Sequence, residues 1–181
     1  MMIKYFLLLF LVKLSFGQEG FKERFKTYMS NQYSTSEKII DYDNLNQIKI
    51  PITIIDDFGL NYIPCLVNGV YDYFVFDTGC SSGLVINNSM FKRIIKTKNV
   101  LYEDYLGDSS MMTATGNYSI VKVLIMKEVI IGNPSKSIRL KNVLISVYES
   151  DEGPLLVGQD ILKRFSTITI NNQNQYYEFK K

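Results

Sequence analysis

Apolar residues in this chain fall mostly in strand-length runs broken by polar turn residues, with a helical spacing in only two places. Gln47–Ile55 alternates and then turns wholly apolar, a strand whose Pro51 suits a sheet edge. Ile63–Phe76 divides at Asn68-Gly69, a dipeptide that favours the tight turn of a two-strand hairpin. Val100–Tyr105, Tyr118–Ile131, Ile138–Tyr148 and Thr167–Phe179 also read as strands, and Gly132-Asn133-Pro134 marks a turn between the middle two. The helical spacings are Phe21–Met29, apolar at 21, 25, 28 and 29, and Asn88–Ile95, which opens on an Asn or Ser cap. Asn31–Ser36 is a polar linker and Asp56–Gly59 a turn. Strands dominate, so the expected fold is all-β, a closed antiparallel barrel with two or three short helices.

The first 17 residues form a different pattern. A basic start at Lys4, an apolar stretch from Tyr5 to Phe16 and Ser15-Phe16-Gly17 as a small-x-small cleavage site have the form of a secretory signal peptide. An uncleaved anchor is the other reading, but the stretch is short of the ~20 residues a span requires. The expected organisation is therefore a signal peptide over 1–17, an amphipathic helix and linker over 18–46, and one domain over 47–181. The N-terminal helix is read as packing on that domain, with a propeptide or partner-binding role as the alternative. Export would place the mature protein in a periplasm or outside the cell, with no stable membrane span.

Charge and composition then narrow the chemistry. The chain has 181 residues, 20 Lys plus Arg and 18 Asp plus Glu; removal of residues 1–17 takes away Lys4 and Lys13 and leaves 18 of each sign. A formally neutral protein has no basic excess for binding nucleic acid. There is no histidine, which excludes Ser-His and Cys-His hydrolytic pairs and zinc sites built on imidazole. Two cysteines are too few for a four-thiolate zinc site, so neither a metal nor another cofactor is expected. A Ser-Lys pair is still open to a chain with these residues, and carboxylates are the first expectation for a hydrolase of this composition.

One carboxylate stands out. In Phe74–Ile86 an apolar run delivers Asp77 into the small-residue turn Thr78-Gly79-Cys80-Ser81, and a second apolar run leads away. An acid in such surroundings must find a partner or lose its charge. In one reading Asp77 only shapes the turn, with Gly79 supplying a positive φ. In the other it is the centre of the chemistry.

This stretch resembles the active-site motif of the retropepsin-like aspartic proteases: an apolar strand, Asp77-Thr78-Gly79, a small residue, Ser81 and further apolar residues. Met112–Gly116 resembles the flap tip of that family, and Leu155–Leu162 its apolar-apolar-Gly motif with the short helix that follows. Residues 48–179 are covered in all. The resemblance implies that Asp77 is the catalytic acid or base, that the Thr78 hydroxyl braces an opposing loop, that Gly79 allows close approach, and that Ser81 contacts the substrate backbone. It further implies a mobile flap at Thr113, Ala114, Thr115 and Gly116, and support of the loop from behind by Leu156, Val157 and Gly158. With a single Asp-Thr-Gly, the second carboxylate would come from another copy, so the implied enzyme is a homodimer cleaving a polypeptide. The family usually has Ala where this chain has Cys80. Core packing of that thiol, a disulfide to Cys65 and a nucleophilic thiol are the readings of the change. Two non-enzymatic readings remain beside the exported endopeptidase: a catalytically inactive peptide-binding domain and an envelope assembly module on the same barrel.

Overall fold

The Asn68-Gly69 pair turns the chain as its chemistry requires. Both residues have left-handed φ, 49° and 82°, the condition for the tight hairpin turn that matches strand twist. It joins two strands in a computed structural model that describes residues 23–24, 26–27, 39–41, 46–54, 60–97, 100, 104–113 and 115–181. In chain order the elements are β1 (Ile39–Asp41), β2 (Gln47–Pro51), β3 (Thr53–Ile54), β4 (Asn61–Val67), β5 (Val70–Phe76), β6 (Leu84–Ile86), α1 (Asn88–Lys96), β7 (Tyr105–Met112), β8 (Tyr118–Asn133), β9 (Lys136–Tyr148), β10 (Leu156–Val157), α2 (Gln159–Leu162), β11 (Thr167–Asn171) and β12 (Tyr176–Lys180).

Six strands close on themselves in the order β9-β6-β10-β5-β4-β8, with β8 returning to β9. Most neighbours are antiparallel; β10 with β5 and β6 with β9 run parallel. Those two parallel seams bring the chain back beside itself at the site described below. β1 adds to β9, β3 to β4 and β7 to β8, while β11, β12 and β2 form a separate three-stranded sheet. That sheet closes one side of the barrel through buried Ile50, Tyr177 and Phe179. The Phe76 ring lies 4.4 Å from Tyr177 and 5.9 Å from Phe179, centroid to centroid.

Burial follows the period of two expected of strands. Ile63, Cys65 and Val67 of β4 enter the main core, as do Leu124 and Met126 of β8. Opposite faces of β8 and β9 carry a smaller cluster of Val121, Val123 and Leu144, joined by Leu106 of β7 and by half-buried Tyr148. Both long strands change face near Asn142, whose φ is 49°. Before it on β8 the core residues are Leu124 and Met126, and beyond it Val129 and Ile131; β9 shifts in the same way between Val143 and Leu140. One hairpin can thereby line two clusters.

Three elements differ from the sequence reading. The strand expected over Val100–Tyr105 begins only at Tyr105 and continues to Met112, because Gly107-Asp108-Ser109-Ser110, polar enough to pass for a loop, pairs with the strong strand former β8. Thr167–Phe179 is a hairpin, turned by the Asn171 side chain, which accepts from the Asn174 N–H at 2.8 Å. α1 is capped by Asn87, whose Oδ1 accepts from the Met90 N–H at 2.8 Å, one residue ahead of the expected cap. β1 also lies before residue 47, where the sequence pattern starts the domain. Of the expected Phe21–Met29 helix, residues 23, 24, 26 and 27 are described and are helical; residues 1–17, the linker over 31–36 and the turn over 56–59 lie outside the described residues. Among the described residues no helix is long and apolar enough to cross a membrane.

Candidate active site

Asp77 is the first residue beyond β5, and the backbone around it is fixed by β10. Val75 N–H donates to Leu155 O and Asp77 N–H to Val157 O, each at 2.9 Å, so the parallel pairing runs up to the acid itself. The chain then loops through residues 78–83 and returns as β6 on the other side of β10. Leu156 and Val157 thus lie between the strand that delivers Asp77 and the strand that leads away.

The start of α2 supports the loop from behind. Gly158 N–H donates to Gly83 O at 2.8 Å, Gln159 N–H to Cys80 O at 2.8 Å and Asp160 N–H to Ser82 O at 3.2 Å. Helix-start donors without partners inside the helix are in this way satisfied by loop carbonyls. The approach is close enough to require glycine: a Cβ on Gly158 would lie 2.7 Å from Cys80 O and 2.9 Å from Cys80 Sγ. Gly83 is as tight, with a Cβ there 2.5 Å from Leu144 O. Buried Ser82 closes the loop's inner side, its Oγ 3.0 Å from Ser146 Oγ and 3.1 Å from Leu84 O.

On the outer side Thr78, Gly79 and Ser81 are exposed and Asp77 is half-buried. Gly79 N–H donates to Asp77 Oδ1 at 2.8 Å. The left-handed φ that a pure turn reading assigns to Gly79 is absent. A Cβ on Gly79 would instead stand 3.2 Å from Asp77 Oδ1, so the missing side chain keeps the carboxylate accessible. Among the described residues Asp77 takes part in no ion pair.

The flap residues lie at the far end of the β7–β8 hairpin. Thr113 N–H donates to Asn117 O at 2.8 Å and Gly116 N–H to Thr113 O at 2.9 Å. Thr113 Oγ1 lies 2.9 Å from Thr115 Oγ1, and Gly116 turns the tip with φ 81°. Ala114 lies outside the described residues. Met112, Tyr118 and Ile120, 63%, 74% and 63% exposed, form an apolar face beside the tip. No hydrogen bond among the described residues joins the tip to the Asp77 loop; the connection is at the hairpin root. Tyr148 packs in the root cluster, and its hydroxyl pKa is raised by burial first and then by its electrostatic interactions with Cys80 and Asp77.

Sequence reasoning missed Tyr148, Gln159 and Arg164. Gln159 carried a signal, since it follows Gly158 inside the recognised Leu155–Leu162 segment; the other two carried none. Gln159 Nε2 donates to Thr78 O at 2.7 Å. Arg164, its side chain only 3% exposed, lies 3.2 Å from Asp160 Oδ2 and donates to Lys141 O and Asn142 O.

Cys65 and Cys80 are both free and buried. Burial pushes both thiols up in pKa, with Asp72 adding to the effect at Cys65 and Asp77 at Cys80, where a backbone hydrogen bond at Ser82 opposes it. A buried thiol held protonated is a poor nucleophile, so Cys80 is a packing residue against Gly158. Unreduced protein in denaturant is expected to titrate two thiols, and native protein to react slowly at pH 8. A single disulfide per chain in that assay would contradict the geometry.

No protein-family model and no curated protein matches the chain. The fold is similar to that of a retropepsin-like aspartic protease. The crystal structure of such a protease from Rickettsia conorii matches 74% of this chain and 87% of its own, at 21% identity and a TM-score of 0.48.

Proposed function

We propose that this chain is an exported aspartic endopeptidase in which Asp77 of one copy meets Asp77 of a second across a two-fold axis. The observation that carries the reading is the state of Asp77: a half-buried acid with no cation paired to it among the described residues, one oxygen tied by Gly79 N–H, on a loop braced from below whose outer residues are exposed. An acid held only to shape a turn has no need of so rigid a mount. The chain's lack of histidine removes imidazole as acid or base, which favours a carboxylate mechanism.

Two facing carboxyls share one proton, because two like charges in contact resist joint ionisation. The ionised member takes a proton from water as the water oxygen bonds to the scissile carbonyl carbon. The protonated member gives its proton to the carbonyl oxygen. Collapse of the tetrahedral intermediate breaks the C–N bond as the carboxyl that took the water proton gives it to the leaving nitrogen and the ionised partner takes a hydroxyl proton back, restoring the starting pair. Thr78 would brace the opposing loop and Ser81 would contact the substrate backbone. The polypeptide would lie extended under the hairpin tip, where Thr113, Ala114, Thr115 and Gly116 close over it and keep water out. A silent peptide-binding or envelope assembly module would share the barrel and the Asp77–Gly79 bond, and differs in having no turnover.

The test is digestion of an acid-denatured polypeptide from acid to neutral pH, with and without a statine-type inhibitor, alongside sedimentation. Cleavage blocked by the inhibitor, with a dimer in the sedimentation profile, is the expected result. Full activity from a species that stays monomeric contradicts the shared dyad, and absence of cleavage leaves the silent module.

A further inference from the structure

The peptide unit between Thr78 and Gly79 is gripped at both ends. Its N–H donates to Asp77 Oδ1 at 2.8 Å, and its carbonyl accepts from Gln159 Nε2 at 2.7 Å. Gln159 is itself anchored, since its backbone N–H donates to Cys80 O two residues further along the loop. From these contacts we infer that Gln159 is a positioning residue for Asp77: it locks the plane of the 78–79 peptide and so decides which carboxylate oxygen is tied and which is left for chemistry. The inference rests on the endopeptidase reading for its kinetic consequences, though the clamp itself does not.

Two physical effects act in the same direction. A peptide plane pinned only at its N–H can pivot about that bond, and a second pin at the oxygen removes the motion; small misplacements of a reacting group are costly in rate. Hydrogen bonds in series also polarise one another, so a carbonyl that accepts makes its own N–H partner a better donor to Asp77. The Thr78 carbonyl is on the exposed side of the loop. Without Gln159 it would be solvated by water, so little stability is at stake while the orientation of Asp77 is.

Two substitutions separate positioning from general support. Gln159→Leu keeps the bulk and removes the donor; Gln159→Glu keeps a donor only while its carboxyl is protonated. The charged or titratable groups around the position are Asp77 and Cys80 on the loop, Tyr148 at the end of β9, and Asp160 and Arg164 from α2 onward. All of them stay in place in both variants, so each variant is read as a ratio to wild type at the same pH. For Gln159→Leu we expect kcat to fall about tenfold, the rate equivalent of one neutral hydrogen bond. KM should hold within about twofold, since the missing contact is to Asp77 and not to substrate. The Gly79 amide should exchange faster with solvent. For Gln159→Glu the ratio should be close to one in acid and fall to the Leu level as pH rises through the ordinary Glu range near ~4.3, while the Leu ratio stays flat. A purely structural role moves neither the pH profile nor the Gly79 amide. Unchanged Gly79 exchange in Gln159→Leu, or a flat Glu ratio, overturns the inference. If wild type cleaves nothing, the endopeptidase reading fails and Gly79 exchange still decides the clamp. Should the Leu variant not fold, the acid rescue of Gln159→Glu decides it.

Discussion

Asp77→Asn is expected to lower the rate of cleavage of an acid-denatured polypeptide by roughly 10³-fold or more, the loss that follows removal of a general acid–base group. An amide keeps the shape and can still accept from Gly79 N–H through its oxygen, so the loop should remain in place and the melting curve move little. What is lost is the ability to take a proton from water and share it with a facing carboxyl. Activity measured beside a thermal or denaturant melt separates the two effects. Wild-type activity in a folded Asp77→Asn protein would reduce Asp77 to a turn residue and leave the peptide-binding module as the reading of this barrel.

Arg164→Met should destabilise the fold by about 3 kcal/mol or more, as removal of one partner from a buried ion pair does. The guanidinium is almost fully buried and binds Asp160 Oδ2 and the carbonyls of Lys141 and Asn142. Those two carbonyls flank the left-handed residue at which β9 changes face, so the side chain joins α2 to the bend in the longest hairpin. Methionine fills part of the volume and removes the Arg164 contacts from the Asp160 carboxylate and the two carbonyls. Urea unfolding monitored by circular dichroism measures the loss, and a shift within ~0.5 kcal/mol would assign Arg164 to the surface class. Exposed Lys92, which pairs with exposed Asp151 at 2.9 Å, is the internal contrast: water and salt screen an ion pair that is open to solvent.

What could be read from the chain depended on the range of the interaction. The Asn68-Gly69 turn, the alternation of β4 and β8 and the helix after β6 are local, and each was legible within a few residues. β7 was not: Gly107-Asp108-Ser109-Ser110 has a weak strand preference of its own, and pairing with β8 overrides it. The Thr167–Phe179 segment was legible as strand but not as hairpin, because Asn171 through Gln175 turn on an Asn side-chain bond and a left-handed Gln175 and contain no glycine or proline.

The site divides in the same way. The apolar approach, the acid and the small residues after it are consecutive, so sequence alone placed Asp77, Thr78, Gly79 and Ser81 in one loop. The absence of histidine, a fact of composition, removed imidazole chemistry and turned the reading toward carboxylates. Only the closed barrel decided what holds that loop, because Gln159 is 81 residues from Thr78 and Arg164 is 22 from Asn142. Hydrogen bonds such as these have no sequence period; they exist because two parallel seams return the chain beside itself, and a contact made by ring closure leaves no trace in the order of neighbouring residues.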